Sequence, residues 1–241
     1  MKIIAVIPAR MGSSRFPGKP LALIAGKPMI EHVYTRTKSC LTIDEVIIAT
    51  CDAEIADAAR KFGAHIEMTS DKHERASDRM AEVAGRTDAD IYVMVQGDEP
   101  LITPEMIDAA IKPLLKDENI ICTNLIAPIK TEEEFTDRNT IKVISDKKGN
   151  ALYMSREPIP TQARKKFGDF PAYKQVCVIP FRRDFLLLYT NLTPTPFEQA
   201  ESVDMLRAME HGYLISMVKI NEATQAVDTP ADLKKVEALL K

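Results

Sequence analysis

The chain of 241 residues is 45% hydrophobic and 28% charged, an ordinary composition for one large α/β domain or two small ones whose core needs no covalent staples. A net charge of −3 leaves no basic field for nucleic acid and no polybasic tail for a membrane surface. The scattered cysteines Cys40, Cys51, Cys122 and Cys177 form no Cys-x-x-Cys pair, which argues against a zinc site and for a reduced, cytoplasmic setting. No stretch has the length of a membrane span or the make-up of a signal peptide, so a protein free of the membrane is expected.

The first apolar run, "KIIAVIPA", predicts a strand, and the Gly- and Pro-rich turn "IPARMGSSRFPGKPL" follows it at residues 7–21. "PMIEHVYTRTKSC" is a helix with Pro28 near its first turn. "EVIIAT", "HIEMT", "IYVMVQ" and "IICTNLIA" are further strands, apolar nearly throughout and therefore expected to be covered on both faces. Between them lie helices "DAEIADAARKFG", with Asp52 as N-cap and Gly63 at its end, "SDRMAEVAGR", and "TPEMIDAAIKPLLKD", capped by Thr103 with Pro104 in the first position. Strand–helix alternation predicts a single Rossmann-like α/β domain with a mostly parallel sheet and helices on both faces.

Beyond about residue 129 the pattern changes. "IKVISDKKGNALYMSREP" predicts a hairpin, "YKQVCVIPF" one strand, and "RRDFLLLYTNL", "FEQAESVDMLRAMEHG" and "DTPADLKKVEALLK" helices. This half, residues 130–241, is expected to elaborate the same sheet as residues 1–129 and to carry acceptor specificity and a homodimer surface.

The chemistry concentrates at strand ends, where open α/β sheets gather ligands. Arg10, Arg15 and Lys19 share a turn that Gly12 and Gly18 make pliable, a combination suited to an anion with several charges, although it is neither a Walker A loop nor a Gly-x-Gly-x-x-Gly turn. In "VQGDEPLI", Asp98 follows a buried strand and a glycine, the placement of a ligand for a hard cation such as Mg²⁺; turn capping is the bland alternative. Asp228 in "AVDTP" reads first as a plain helix cap before Pro230, and as a second metal ligand only in combination with Asp98. Of His32, His65, His73 and His211, only His73, in "MTSDKHERASDR", lies among other candidate residues, and the four show no metal-ligand spacing.

Several ordered motifs resemble bacterial 3-deoxy-manno-octulosonate (Kdo) cytidylyltransferases almost from end to end: "IPARMGSSRFPGKPL", "GKPMIEHVY", "VQGDEPLI", "ALYMSREPIP", "RRDFLL" and "VDTPADL". The resemblance implies that CTP and a sugar acid react, with Mg²⁺ on Asp98 and Asp228, and that Lys19, Asp98 and Asp228 are catalytic. It implies a nucleotide site drawn from Ala9, Arg10, Ser14, Arg15, Lys19, Thr69, His73, Arg75, Ser77, Arg79 and Gln96. On the acceptor side it implies Arg156, Gln175, Ile179, Glu201, Asp204 and Met205. Departures from the family pattern fall at residues 75–77 and cluster on the acceptor side. Arg75, Ala76 and Ser77 stand for Ser-Gly-Thr, Gln175 for a histidine, Cys177 for a glycine, Ile179 for a tyrosine and Met205 for a glutamine. An altered acceptor is therefore expected. A different nucleotide base and a non-catalytic nucleotide-binding module are the remaining alternatives.

Overall fold

A computed structural model describes residues 1–12, 16–222 and 224–240. In chain order its elements are β1 (Ile3–Ala9), a 3₁₀ turn (Lys19–Leu21), β2 (Leu23–Ile24), β3 (Lys27–Pro28), α1 (Met29–Lys38), β4 (Glu45–Thr50), α2 (Ala53–Lys61), β5 (His65–Met68), α3 (Ala76–Arg86), β6 (Ile91–Val95) and α4 (Pro104–Lys116). There follow β7 (Thr123–Pro128), α5 (Glu132–Thr136), β8 (Lys142–Ser145), β9 (Ala151–Ser155), β10 (Tyr173–Val176), β11 (Val178–Arg182), α6 (Arg183–Tyr189), α7 (Pro196–Glu201), α8 (Met205–Glu210), β12 (Ser216–Lys219) and α9 (Pro230–Leu239).

The first sheet runs β11-β6-β1-β4-β5, parallel except for β11, which pairs antiparallel with β6. Its strands are sandwiched, and this explains their lack of alternation. Along β1, Ile4 and Val6 join one core cluster while Ile3, Ala5 and Ile7 join the other. Local signals behave as their chemistry dictates. The Thr103 hydroxyl caps α4 by accepting from the Met106 N–H at 3.3 Å, and Gly63 follows α2 at φ +73°.

The C-terminal half departs from the sequence reading by building a sheet of its own, β12-β7-β10-β8-β9. Two strands cross the expected division at residue 129: β7 belongs to this second sheet, and β11 completes the first. The run "YKQVCVIPF" is two strands in different sheets, with Cys177 between them. Continuous hydrophobicity fits both situations equally, so periodicity could not reveal the switch. The expected hairpin forms from β8 and β9, with Gly149 at φ +89° in its turn. Among the described residues, no helix is long and apolar enough to cross a membrane.

Candidate active site

β1 and β6 are parallel neighbours, and the chain leaving β6 stays close to the end of β1. A Cβ on Gly97 would lie 3.2 Å from the Pro8 carbonyl oxygen, closer than such atoms ordinarily come, so a larger residue there would push the chain after β6 away from β1. Asp98 emerges at that point. The opening turn is tied down by the Met11 N–H donating to Asp52 Oδ2 at 2.8 Å and the Gly18 N–H donating to the Met11 carbonyl at 3.1 Å. Asp52 thus starts α2 without capping it, its carboxylate being spent on the turn.

Gly18, at φ +71°, aims the following residue inward. Lys19 Nζ donates to Asp98 Oδ2 at 2.8 Å and to the Val227 carbonyl at 2.9 Å, and lies 3.7 Å from Asp228 Oδ1. One ammonium therefore gathers three segments, two of them 208 residues apart. The plain-cap reading of Asp228 is not what forms. Thr229 caps α9 in a capping box with Asp232, and the Asp228 carboxylate lies on the Lys19 side instead.

This cluster separates two adjacent cavities. The smaller, about 330 Å³, is lined by Ala9, Arg10, Lys19, His73, Arg75 and Arg79, among others. The larger, about 640 Å³, takes in Glu99, Arg156, Gln175, Ile179 and Met205. Gln96, Asp98, Asp204 and Asp228 line both. Ser14 and Arg15 lie outside the described residues.

Several of these candidates are held by partners within the protein. Arg79 is buried and its guanidinium donates to the hydroxyl of Thr69, which reaches neither cavity. Ser77 is buried too, and its hydroxyl donates to Asp204 Oδ2 at 3.3 Å. His73 pairs with Glu82 at 2.5 Å. Although burial favours the neutral acid, the Ser70 N–H, His73 and Arg86 together hold the Glu82 carboxyl below the usual carboxylate range. Arg75, with 25% of its side chain exposed, is engaged on one side: its Nη1 donates to Ser202 Oγ at 3.2 Å and lies 3.2 Å from Asp204 Oδ1. Burial pushes the Asp204 carboxyl up against the pull of Arg75.

On the larger side, the Gln175 side-chain amide donates to Asn124 Oδ1 at 2.5 Å. Met205 and Ile179 are buried apolar wall. Arg156 donates to the backbone carbonyls of Glu201 at 2.8 Å, Arg138 at 3.1 Å and Ser202 at 3.2 Å. Glu201 lines neither cavity; its carboxylate accepts from Ser155 Oγ at 2.7 Å and the Arg156 N–H at 2.9 Å, clamping α7 to the end of β9.

Sequence reasoning missed three lining residues. Glu99 is buried beside Asp98, its carboxyl pushed up to about 7 chiefly by burial, and it accepts from the Thr224 hydroxyl. Lys174 pairs with Glu134 on the same cavity. Only Glu99 carried a signal, as the second carboxylate of "GDEP".

A family model described as cytidylyltransferase matches residues 4–220. The chain belongs to that family. Among cytidylyltransferase relatives, one from Geobacter metallireducens named 3-deoxy-manno-octulosonate cytidylyltransferase is 49% identical, over 98% of this chain and 96% of that protein. Another of the same name, from Acaryochloris marina, is 41% identical over 100% of this chain and 98% of that one. A solved CMP:2-keto-3-deoxy-manno-octonic acid synthetase complexed with CTP superposes with a TM-score of 0.92 at 40% identity, covering 100% of this chain and 98% of the other. A cytidylyltransferase from Leptospira borgpetersenii, at 17% identity and TM-score 0.65, shares the fold. The Rossmann-like α/β architecture and the enzyme class, a nucleotidyltransferase, are those of this family.

Proposed function

We propose that this cytidylyltransferase joins CTP to a sugar acid of the Kdo type, with CTP in the smaller cavity and the sugar acid in the larger. One observation carries the reading: the two cavities share Asp98 and Asp228, and Lys19 stands between these carboxylates. The relatives' names supply the identity of both reactants. The anomeric oxygen attacks the α-phosphorus, the bond from that phosphorus to the oxygen bridging it to the β-phosphate breaks, and pyrophosphate leaves. Positioning and charge neutralisation suffice for such a transfer.

Arg10 and Lys19 meet the triphosphate as charged donors, joined by Arg15 and Ser14 of the same turn. Ala9 and Gln96 line the nucleotide side. Thr69, Ser77 and Arg79 brace its wall, and His73 and Arg75 border it. Two hard carboxylates converging on one cation suit Mg²⁺, which prefers one or two carboxylates with phosphate oxygens completing its shell. Asp98 and Asp228 would hold it, and when bound it neutralises charge at the α-phosphate. Arg156, with N–H groups beyond its three carbonyl bonds, and Gln175 offer polar contacts to the acceptor, and Asp204 borders both reactants. Ile179 and Met205 favour a second reading, an anionic acceptor with a hydroxyl pattern unlike that of Kdo, because apolar walls cannot pair with the groups they desolvate.

The protein is expected to act in the cytoplasm as a homodimer, with exposed Leu152 (60%) and Phe197 (53%) on the second sheet's edge and α7 as interface candidates. Pyrophosphate release with CTP, Mg²⁺ and Kdo or other sugar acids tests the activity. Release with none of them removes the proposal, and release only with another sugar acid selects the second reading.

A further inference from the structure

Lys142 opens β8 and is 0% exposed, a costly place for an ammonium group unless each N–H is matched. All three are matched, and by backbone alone. Nζ donates to the carbonyl oxygens of Asp137 at 2.9 Å, Thr140 at 2.6 Å and Arg156 at 2.5 Å. Among the described residues, no carboxylate lies within ion-pair distance of it. An ammonium suits this place because it offers three donors and no acceptor.

The three carbonyl owners have something in common. Asp137, Thr140 and Arg156 all line the larger cavity, and so do Asn139 and Ile141 between them in sequence. Lys142 itself does not line it. Arg156 fastens the same wall through the carbonyls of Arg138, Glu201 and Ser202. Two cations thus take up six backbone carbonyls from the segments forming one side of the cavity. None of these segments lines the smaller cavity.

We propose that Lys142 is a positioning residue for the acceptor. It makes no contact with the sugar acid. It welds the 137–141 turn to the segment after β9, so that the cavity wall and the Arg156 backbone keep one shape whether or not the acceptor is bound. The inference rests on reading the larger cavity as the acceptor site. Its consequence is a one-sided defect: losing Lys142 weakens use of the acceptor and spares CTP.

The test compares Lys142→Met, which keeps the apolar stem and removes every donor, with Lys142→Gln, which restores an amide. Wild-type turnover with Kdo and other sugar acids is measured first and decides the proposed function by itself. The variants are then assayed with whichever acid the wild type turns over, and turnover with none overturns both ideas. KM for acceptor should rise about tenfold or more in the methionine variant and less in the glutamine variant, as expected when several charged hydrogen bonds are lost. CTP affinity by calorimetry should stay at the wild-type value, with kcat at saturating acceptor within about twofold of it, since the transition-state contacts are untouched. A folded variant with wild-type acceptor KM overturns the proposal, and so does an equal loss of CTP affinity. If the methionine variant does not fold, the glutamine variant carries the same comparison.

Discussion

Replacing Asp228 by alanine separates two roles that stand at one position in the sequence. If Asp228 were a helix cap, its loss would cost about 1 kcal/mol of stability and leave turnover alone. The cap of α9, however, is Thr229, which donates from its backbone N–H to Asp232 Oδ2 at 3.0 Å and accepts the Asp232 N–H at 3.4 Å. The Asp228 carboxylate lies 3.7 Å from Lys19 Nζ, with the two side chains 28% and 14% exposed. Opposite charges at this spacing attract by roughly 4 kcal/mol at an intermediate dielectric before desolvation is counted. Lys19 would still be paired by Asp98 at 2.8 Å and the Val227 carbonyl at 2.9 Å, and repulsion between the Asp98 and Asp228 carboxylates would be relieved, so most of the lost attraction is offset. The net cost to stability is about 1 kcal/mol or less, a melting shift of no more than about 2–4 °C for a chain of this size. Turnover should fall by at least about a thousandfold, roughly 4 kcal/mol of lost transition-state stabilisation. Without divalent metal, CTP should bind the variant no more weakly than the wild type, because a negative charge has left the site. Thr229→Ala should do the reverse, losing about 1 kcal/mol of stability and keeping turnover. The assays are initial-rate pyrophosphate release with saturating CTP, sugar acid and Mg²⁺, and calorimetric melting. Wild-type turnover in Asp228→Ala would refute the argument.

Lys19→Ala should weaken CTP binding by roughly 1.5–3 kcal/mol, the worth of a charged hydrogen bond; normal affinity by calorimetry would remove Lys19 from the phosphate site. Glu99 should make metal-free stability fall with pH. Its folded pKa of about 7 lies above its ordinary 4.5, so the folded state holds the proton more tightly, and stability is greatest below about 4.5 and declines as pH rises through 7. The decline is on the order of 3 kcal/mol, and denaturant titrations should show it flattened in Glu99→Gln. If the apolar walls at Ile179 and Met205 disfavour Kdo, Ile179→Tyr and Met205→Gln should raise kcat/KM for Kdo, each unpaired hydroxyl costing about 1–3 kcal/mol; unchanged values would leave these two residues without a role in acceptor choice.

Whatever depends on neighbours along the chain was legible in the amino-acid sequence. The continuous apolar runs of β1, β4 and β6, the Thr103 cap, Gly63 beyond α2 and the β8–β9 hairpin follow from local preference and short-range hydrogen bonds. Asp98 was legible for the same reason, since a carboxylate after a buried strand and a glycine has little choice of direction. The tertiary structure alone decided which distant groups meet. It brought Val227 to Lys19 across 208 residues, with Asp228 beside it, and gave the cap to Thr229. It divided "YKQVCVIPF" between two sheets at Cys177 and turned Gln175 toward buried Asn124. It also spent Glu201 and Arg75 on partners in other segments and matched the ammonium of Lys142 with three carbonyls. Strand partners and buried polar pairs are fixed by global packing, where many pairings suit the same local pattern and only the assembled core distinguishes them.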